Sequence, residues 1–116
     1  MRDVTVKKDE LLEKLELNKD NHRAKFLEAQ KVYREQYINE LERMLKDARR
    51  GDKIRREITL PMPVDHTSDY NAIIEMIKRH VEDTIVLQEE DVRKYIMDQW
   101  NWMNAFTATT EFYAVA

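Results

Sequence analysis

The sequence predicts an α+β fold, mostly helical, in which a long N-terminal helix precedes a small domain of strands and helices. Three observations carry this. Of 116 residues, 37% are charged, well above the roughly 25% of an average soluble domain, and long exposed helices supply solvated surface for so much charge. One glycine and two prolines argue against a turn-rich β-sandwich, a phosphate-cradling loop or a disordered linker. Finally, short stretches of period two interrupt longer stretches rich in helix formers.

Val4-Thr5-Val6 is long enough for one short edge strand. From Lys8 to Arg50 there is no Gly or Pro, and Glu, Lys, Leu, Arg, Ala and Gln dominate. Asp9 and Glu10 suit a helix start, and Ala48-Arg49-Arg50-Gly51 suits a helix end. A helix of about 42 residues would span about 63 Å. Asn18-Lys19-Asp20-Asn21, whose short polar side chains compete for backbone hydrogen bonds, is where it would break if it breaks.

Ile54, Ile58, Leu60 and Met62 alternate with polar residues and predict a second strand closed by Pro61 and Pro63. Asp65-His66-Thr67-Ser68-Asp69 offers N-cap groups for a helix bearing Tyr70, Ile73, Ile74, Ile77 and Val81. Thr84-Ile85-Val86-Leu87 predicts a third strand. Gln88-Glu89-Glu90-Asp91 opens a third helix, with apolar positions at Val92, Tyr95, Ile96, Met103 and Phe106. The expected organisation is a strand and helical arm over 1–50, a small domain over 51–106 with helices on one face of a sheet, and an apolar tail over 107–116.

The arm has an internal period. Leu11, His22, Tyr33 and Met44 are spaced by eleven, as are Leu15, Phe26, Tyr37 and Ala48. Eleven residues over three turns give a nearly straight apolar stripe. It is too long for the rest of the chain to cover, so Leu11, Leu15, Phe26, Tyr33, Tyr37 and Met44 are the expected self-association surface. Asn18 and His22 fall in the stripe and are read as a wet edge in preference to a buried polar device that fixes register.

No chemistry-bearing constellation stands out. His22, His66 and His80 lack the spacing of metal ligands, and Asp65, His66 and Asp69 are better explained as helix-start groups. Without cysteine there are no disulfides, thiol nucleophiles or cysteine-based zinc sites, which fits a reducing, cytoplasmic setting. Ser68 is the only serine and lacks a triad, and no phosphate-binding fingerprint occurs. The reading is therefore of a non-enzyme with no metal and no cofactor. No apolar run approaches a membrane span and no secretory h-region follows Met1.

Charge is unevenly placed. Arg43, Lys46, Arg49, Arg50, Lys53, Arg55 and Arg56 against Asp47 and Asp52 leave +5, whereas Glu82–Asp91 holds five acids and no base. The basic patch is able in principle to grip phosphates. With a net charge of −3 and no aromatic among its bases to stack on nucleotides, nucleic acid is not the expected partner. Trp100, Trp102, Phe112 and Tyr113 belong to an aromatic-rich last segment suited to partner binding. A pocket between protomers near Trp100 and Trp102 is the small-ligand alternative, and the basic patch the nucleic-acid one.

The residues Leu11-Leu12-Glu13-Lys14-Leu15, Asn18, His22, Asp65-His66-Thr67 and Asp69-Tyr70, then Tyr95, Met97-Asp98, Trp100, Trp102 and Phe106, carry a resemblance. Over roughly residues 4–106 the chain resembles a group of small, functionally unassigned proteins of bacteriophages and bacteria. The resemblance transfers no active site. It implies a setting, a small phage-type accessory protein that acts by binding rather than by chemistry; with the stripe, the expected partners are a second copy and a host or phage protein.

Overall fold

The structure is a computed structural model that describes residues 3–54 and 56–112. It is α+β and mostly helical. In chain order the elements are β1 (Val4–Lys7), α1 (Lys8–Arg49), β2 (Glu57–Pro63), α2 (Thr67–Lys78), β3 (Thr84–Leu87), α3 (Glu89–Asp91) with a π-helical turn Val92–Ile96, and β4 (Ala105–Glu111).

α1 runs without a break through Asn18. Its end is a Schellman motif. Gly51 adopts φ +78°, its N–H donates to the Ala48 carbonyl at 3.1 Å, and the Asp52 N–H donates to the Asp47 carbonyl at 2.9 Å. The left-handed position is where glycine avoids a Cβ clash.

The chain forms two compact units, each assembled from distant stretches. The expected division at 50 and 106 does not describe them, because strands pair with partners far away in sequence. The first unit holds residues 1–25 and 65–102. There β1 pairs antiparallel with β3, Val4 opposite Leu87 and Lys7 opposite Thr84. Leu11 and Leu15 of α1, Ile74 and Ile77 of α2, Ile85 and Leu87 of β3, and Val92 make its core. The Lys8 ammonium donates to the carbonyls of Lys78 and His80 at 3.0 and 2.7 Å, satisfying acceptors that the end of α2 leaves unpaired.

The second unit holds residues 26–64 and 103–116. There β2 pairs antiparallel with β4, from Glu57 opposite Glu111 to Pro63 opposite Ala105. The sheet is therefore two separate two-stranded ribbons, not the single small sheet expected. The Phe112 N–H donates to the Arg56 carbonyl and the Val64 N–H to the Asn104 carbonyl. This phase points the backbone nitrogens of Pro61 and Pro63 away from β4, so neither proline removes a ladder bond. Ile54 lies before the strand and is exposed.

The third helix also departs from expectation. It ends at Ile96, and Phe106 stands in β4 rather than on a helix. Asp98, at φ +54°, turns the chain out of the helix. Beyond it, Thr107, Thr109 and Thr110 favour extended backbone because their branched side chains pack well on a pleated ribbon. Residues 107–111, expected as tail, complete the β2–β4 ribbon.

Candidate functional site

In the first unit, two helices converge on Asp98. The Tyr70 hydroxyl donates to Oδ1 at 2.5 Å, and His22 Nε2 lies 2.9 Å from Oδ2. Around them Trp100 and Trp102 stack with centroids 4.3 Å apart, and the His66 ring lies 4.2 Å from Trp102. Trp102 also meets the Tyr70 ring edge-on at 4.9 Å. Tyr70 is fully buried. Burial, more than the neighbouring Asp98 carboxylate, pushes its phenol far above the ordinary range, and the nearby Trp100 N–H offsets part of this. That N–H is itself buried without a hydrogen-bond partner among the described residues.

A buried phenol bound to a carboxylate is a poor proton donor at neutral pH. The trio has the geometry of a latch that holds α1, α2 and the 97–102 loop together. Asn18 belongs to the same arrangement. It is buried, and its amide nitrogen donates to the Tyr95 carbonyl at 3.3 Å. The wet stripe edge expected at Asn18 and His22 is instead a set of satisfied polar contacts, because the π-helical turn presents an orphan carbonyl there.

Asp65 starts α2. Its Oδ1 accepts from the Thr67 N–H at 3.0 Å and the Thr67 hydroxyl at 2.6 Å, and its Oδ2 pairs with Arg23. The Thr67 hydroxyl is the first cause holding this carboxyl below the usual range, with burial opposing it. His66 Nδ1 lies 3.0 Å from Asp69 Oδ2. Among the described residues, no group of three or more His, Cys, Asp or Glu converges as a metal site would require.

The second unit contains a cavity of about 380 Å³. Phe26, Tyr33 and Tyr37 of α1 form one wall, and Met62 and Pro63 of β2 another. Gln30, Arg34 and Thr110 supply its polar groups. The Tyr33 and Tyr37 rings are 6.2 Å apart, and Phe112 lies 6.4 Å beyond Tyr37.

The expected site residues therefore separate into sets. Leu11 and Leu15 are 1% and 0% exposed, so they serve the first unit's core and present nothing to a second copy. Phe26, Tyr33 and Tyr37 line the cavity, and Met44 lies half-buried on the same row. Trp100 and Trp102 join the latch, whereas Phe112 is in the second unit. In the basic patch, Arg43 meets Glu40 at 3.3 Å, and Arg50 meets Asp47 at 2.9 Å and Asp52 at 3.4 Å. Lys46, Arg49, Lys53 and Arg56 are exposed, and Arg55 and Tyr113 lie outside the described residues.

A second row on α1 was not anticipated. Leu27, Ile38, Leu41 and Leu45 are 49%, 45%, 37% and 52% exposed. Their spacings of eleven, three and four place them within about 60° of arc, on the flank of the cavity-lining row. The i, i+3, i+7 pattern over 38–45 was a readable signal, masked by the stronger eleven-residue stripe.

The fold and these sites define a mostly helical α+β chain in which no helix of the described residues is long and apolar enough to cross a membrane. Set beside known proteins, it matches no family model, no curated protein and no solved structure.

Proposed function

We propose that this chain is a non-enzymatic protein-interaction module that self-associates through the exposed flank of α1. In the setting the resemblance implies, it acts as a phage-type accessory or host-interaction protein in the cytoplasm. The exposed row of Leu27, Ile38, Leu41 and Leu45 carries the reading. Large aliphatic side chains aligned on one helix flank gain free energy by leaving water, and a second identical row is a matched surface. This row replaces Leu11 and Leu15 as the contact.

Duplex nucleic acid is not part of the reading, since the chain carries a net charge of −3 and Glu40, Asp47 and Asp52 stand among the cations of the patch, paired with Arg43 and Arg50. Sedimentation equilibrium at micromolar concentration tests self-association. The expected result is a mass above the 14.0 kDa of one chain, returning to it in the double variant Ile38→Glu, Leu45→Glu. A monomer at every concentration, with the sequence unaltered, refutes the reading.

A further inference from the structure

The cavity in the second unit has a chemistry that self-association does not use. Its walls are three aromatic rings, a thioether and a proline ring, from Phe26, Tyr33, Tyr37, Met62 and Pro63. At about 380 Å³ it falls near the lower end of the roughly 300–1,000 Å³ spanned by small-molecule sites. Flat rings with electron-rich faces favour a flat, apolar guest. The polar groups decide its charge. Arg34 is the one ionisable cation in the lining, and the lining contains no Asp or Glu. Among the described residues, no ion pair or hydrogen bond holds the Arg34 guanidinium, and none holds the Gln30 amide or the Thr110 hydroxyl. A guanidinium at the rim of an apolar cavity matches a planar oxyanion, which it can grip with two parallel N–H donors.

We infer that this cavity is a binding site for a flat aromatic acid, a ring system bearing one carboxylate or sulfonate. The rings would lie against Tyr33 and Tyr37, with the acid group toward Arg34. The inference goes beyond the interaction reading and does not depend on it.

The probe is 1-anilinonaphthalene-8-sulfonate, whose fluorescence rises when it leaves water, titrated into the intact protein. N-phenyl-1-naphthylamine, which has the same ring system without the sulfonate, is the neutral control. The expected result is one saturable site per chain. The neutral amine should bind about tenfold or more weakly, and Arg34→Gln should weaken the sulfonate by a similar factor while leaving the amine unchanged. Amide shifts on binding should concentrate at residues 26–37, 62 and 110. The neutral variant Leu41→Gln, Leu45→Gln, which puts no carboxylate one turn from Arg34, should bind the sulfonate as the unaltered protein does, which separates this site from the self-association surface. Should Arg34→Gln fail to fold, the comparison of the two dyes on the unaltered protein decides alone. Equal affinity for both dyes, unsaturable binding, or shifts confined to residues 38–45 overturns the proposal.

Discussion

The side chain of Asn18, in the first half of the long helix, donates to the carbonyl of Tyr95 in the π-helical turn at 3.3 Å. A wide π turn leaves carbonyls that no following N–H reaches, and in a buried setting each needs a donor from elsewhere. Asn18 is the single buried polar residue among the described residues, and this contact gives it a partner.

Asn18→Ala should therefore lower stability by about 1–3 kcal/mol, the usual range when a buried acceptor loses its donor. Asn18→Leu should not recover it, since the carbonyl stays unpaired whatever apolar volume is restored. Leu17→Ala, at a neighbouring position that is 52% exposed, should change stability by no more than about 0.5 kcal/mol beside it. Urea denaturation of the three variants is the measurement. Equal effects at positions 17 and 18 contradict the assignment.

Tyr70 gives stability a dependence on alkaline pH. Its phenol is held far above the ordinary range, first by burial and then by Asp98. A raised pKa in the folded state leaves stability intact below the ordinary phenol value of about 10, because both states are then protonated. Above it the unfolded chain releases the proton first, so stability falls as pH rises. Tyr95 is raised in the same direction, mainly by burial. Denaturation midpoints measured from pH 8 upward should decline past about pH 10, less steeply in Tyr70→Phe. The same variant should be weaker at neutral pH by about 1.5–3 kcal/mol, having lost a hydrogen bond to a charged group. An identical alkaline slope in both proteins rules out Tyr70 as its source.

Asp65 acts at the other end of the pH scale. Its carboxyl is held below the usual range, chiefly by the Thr67 hydroxyl, then by the Thr67 N–H and by Arg23. A depressed pKa contributes stability above the ordinary carboxyl value and loses it as pH falls through the lower, folded value. Asp65→Ala should cost about 0.5–2 kcal/mol at neutral pH, as loss of a helix-start acceptor does. It should also flatten the acid side of the stability profile below about pH 4. Thermal melts across that range settle it, and an unchanged acid limb removes Asp65 from the account.

Local signals in the sequence located most elements. Val4–Lys7, Thr84–Leu87 and the end of α1 at Gly51 were legible because strand alternation and a helix C-cap are decided by a few adjacent residues. The pairing of β2 with β4 was not, since it joins residues about fifty positions apart and leaves no mark in either strand alone. Phe106 illustrates this. It continues the spacing of Tyr95 and Ile96, yet the left-handed turn at Asp98 ends the helix before it. The sites were half legible. Phe26, Tyr33 and Tyr37 were visible as one stripe, but Met62 and Thr110, which complete the cavity, come from strands whose placement tertiary pairing decides.

Asp98 is where backbone and side chain make opposite demands. At φ +54° it occupies a region that costs most L residues roughly 1–2 kcal/mol and that Gly, Asn and Asp tolerate best. Its two carboxylate oxygens meanwhile meet Tyr70 and His22 at 2.5 and 2.9 Å. Asp98→Gly relieves the backbone and leaves the Tyr70 hydroxyl without its acceptor. Asp98→Ala loses the acceptor and adds the backbone penalty, so it should be the less stable of the two by about 1 kcal/mol. Asp98→Asn keeps the turn and one carbonyl oxygen for Tyr70, and should be the mildest of the three. The expected order of stability is Asn, Gly, Ala, read from denaturation midpoints at pH 7. Trp100 and Trp102 report on the same loop through their fluorescence, which should change most in Ala and least in Asn. If Gly equals or exceeds Asn, the hydrogen bonds to Tyr70 and His22 contribute little and the turn alone fixes the loop. If Ala equals Gly, the left-handed backbone carries no penalty there.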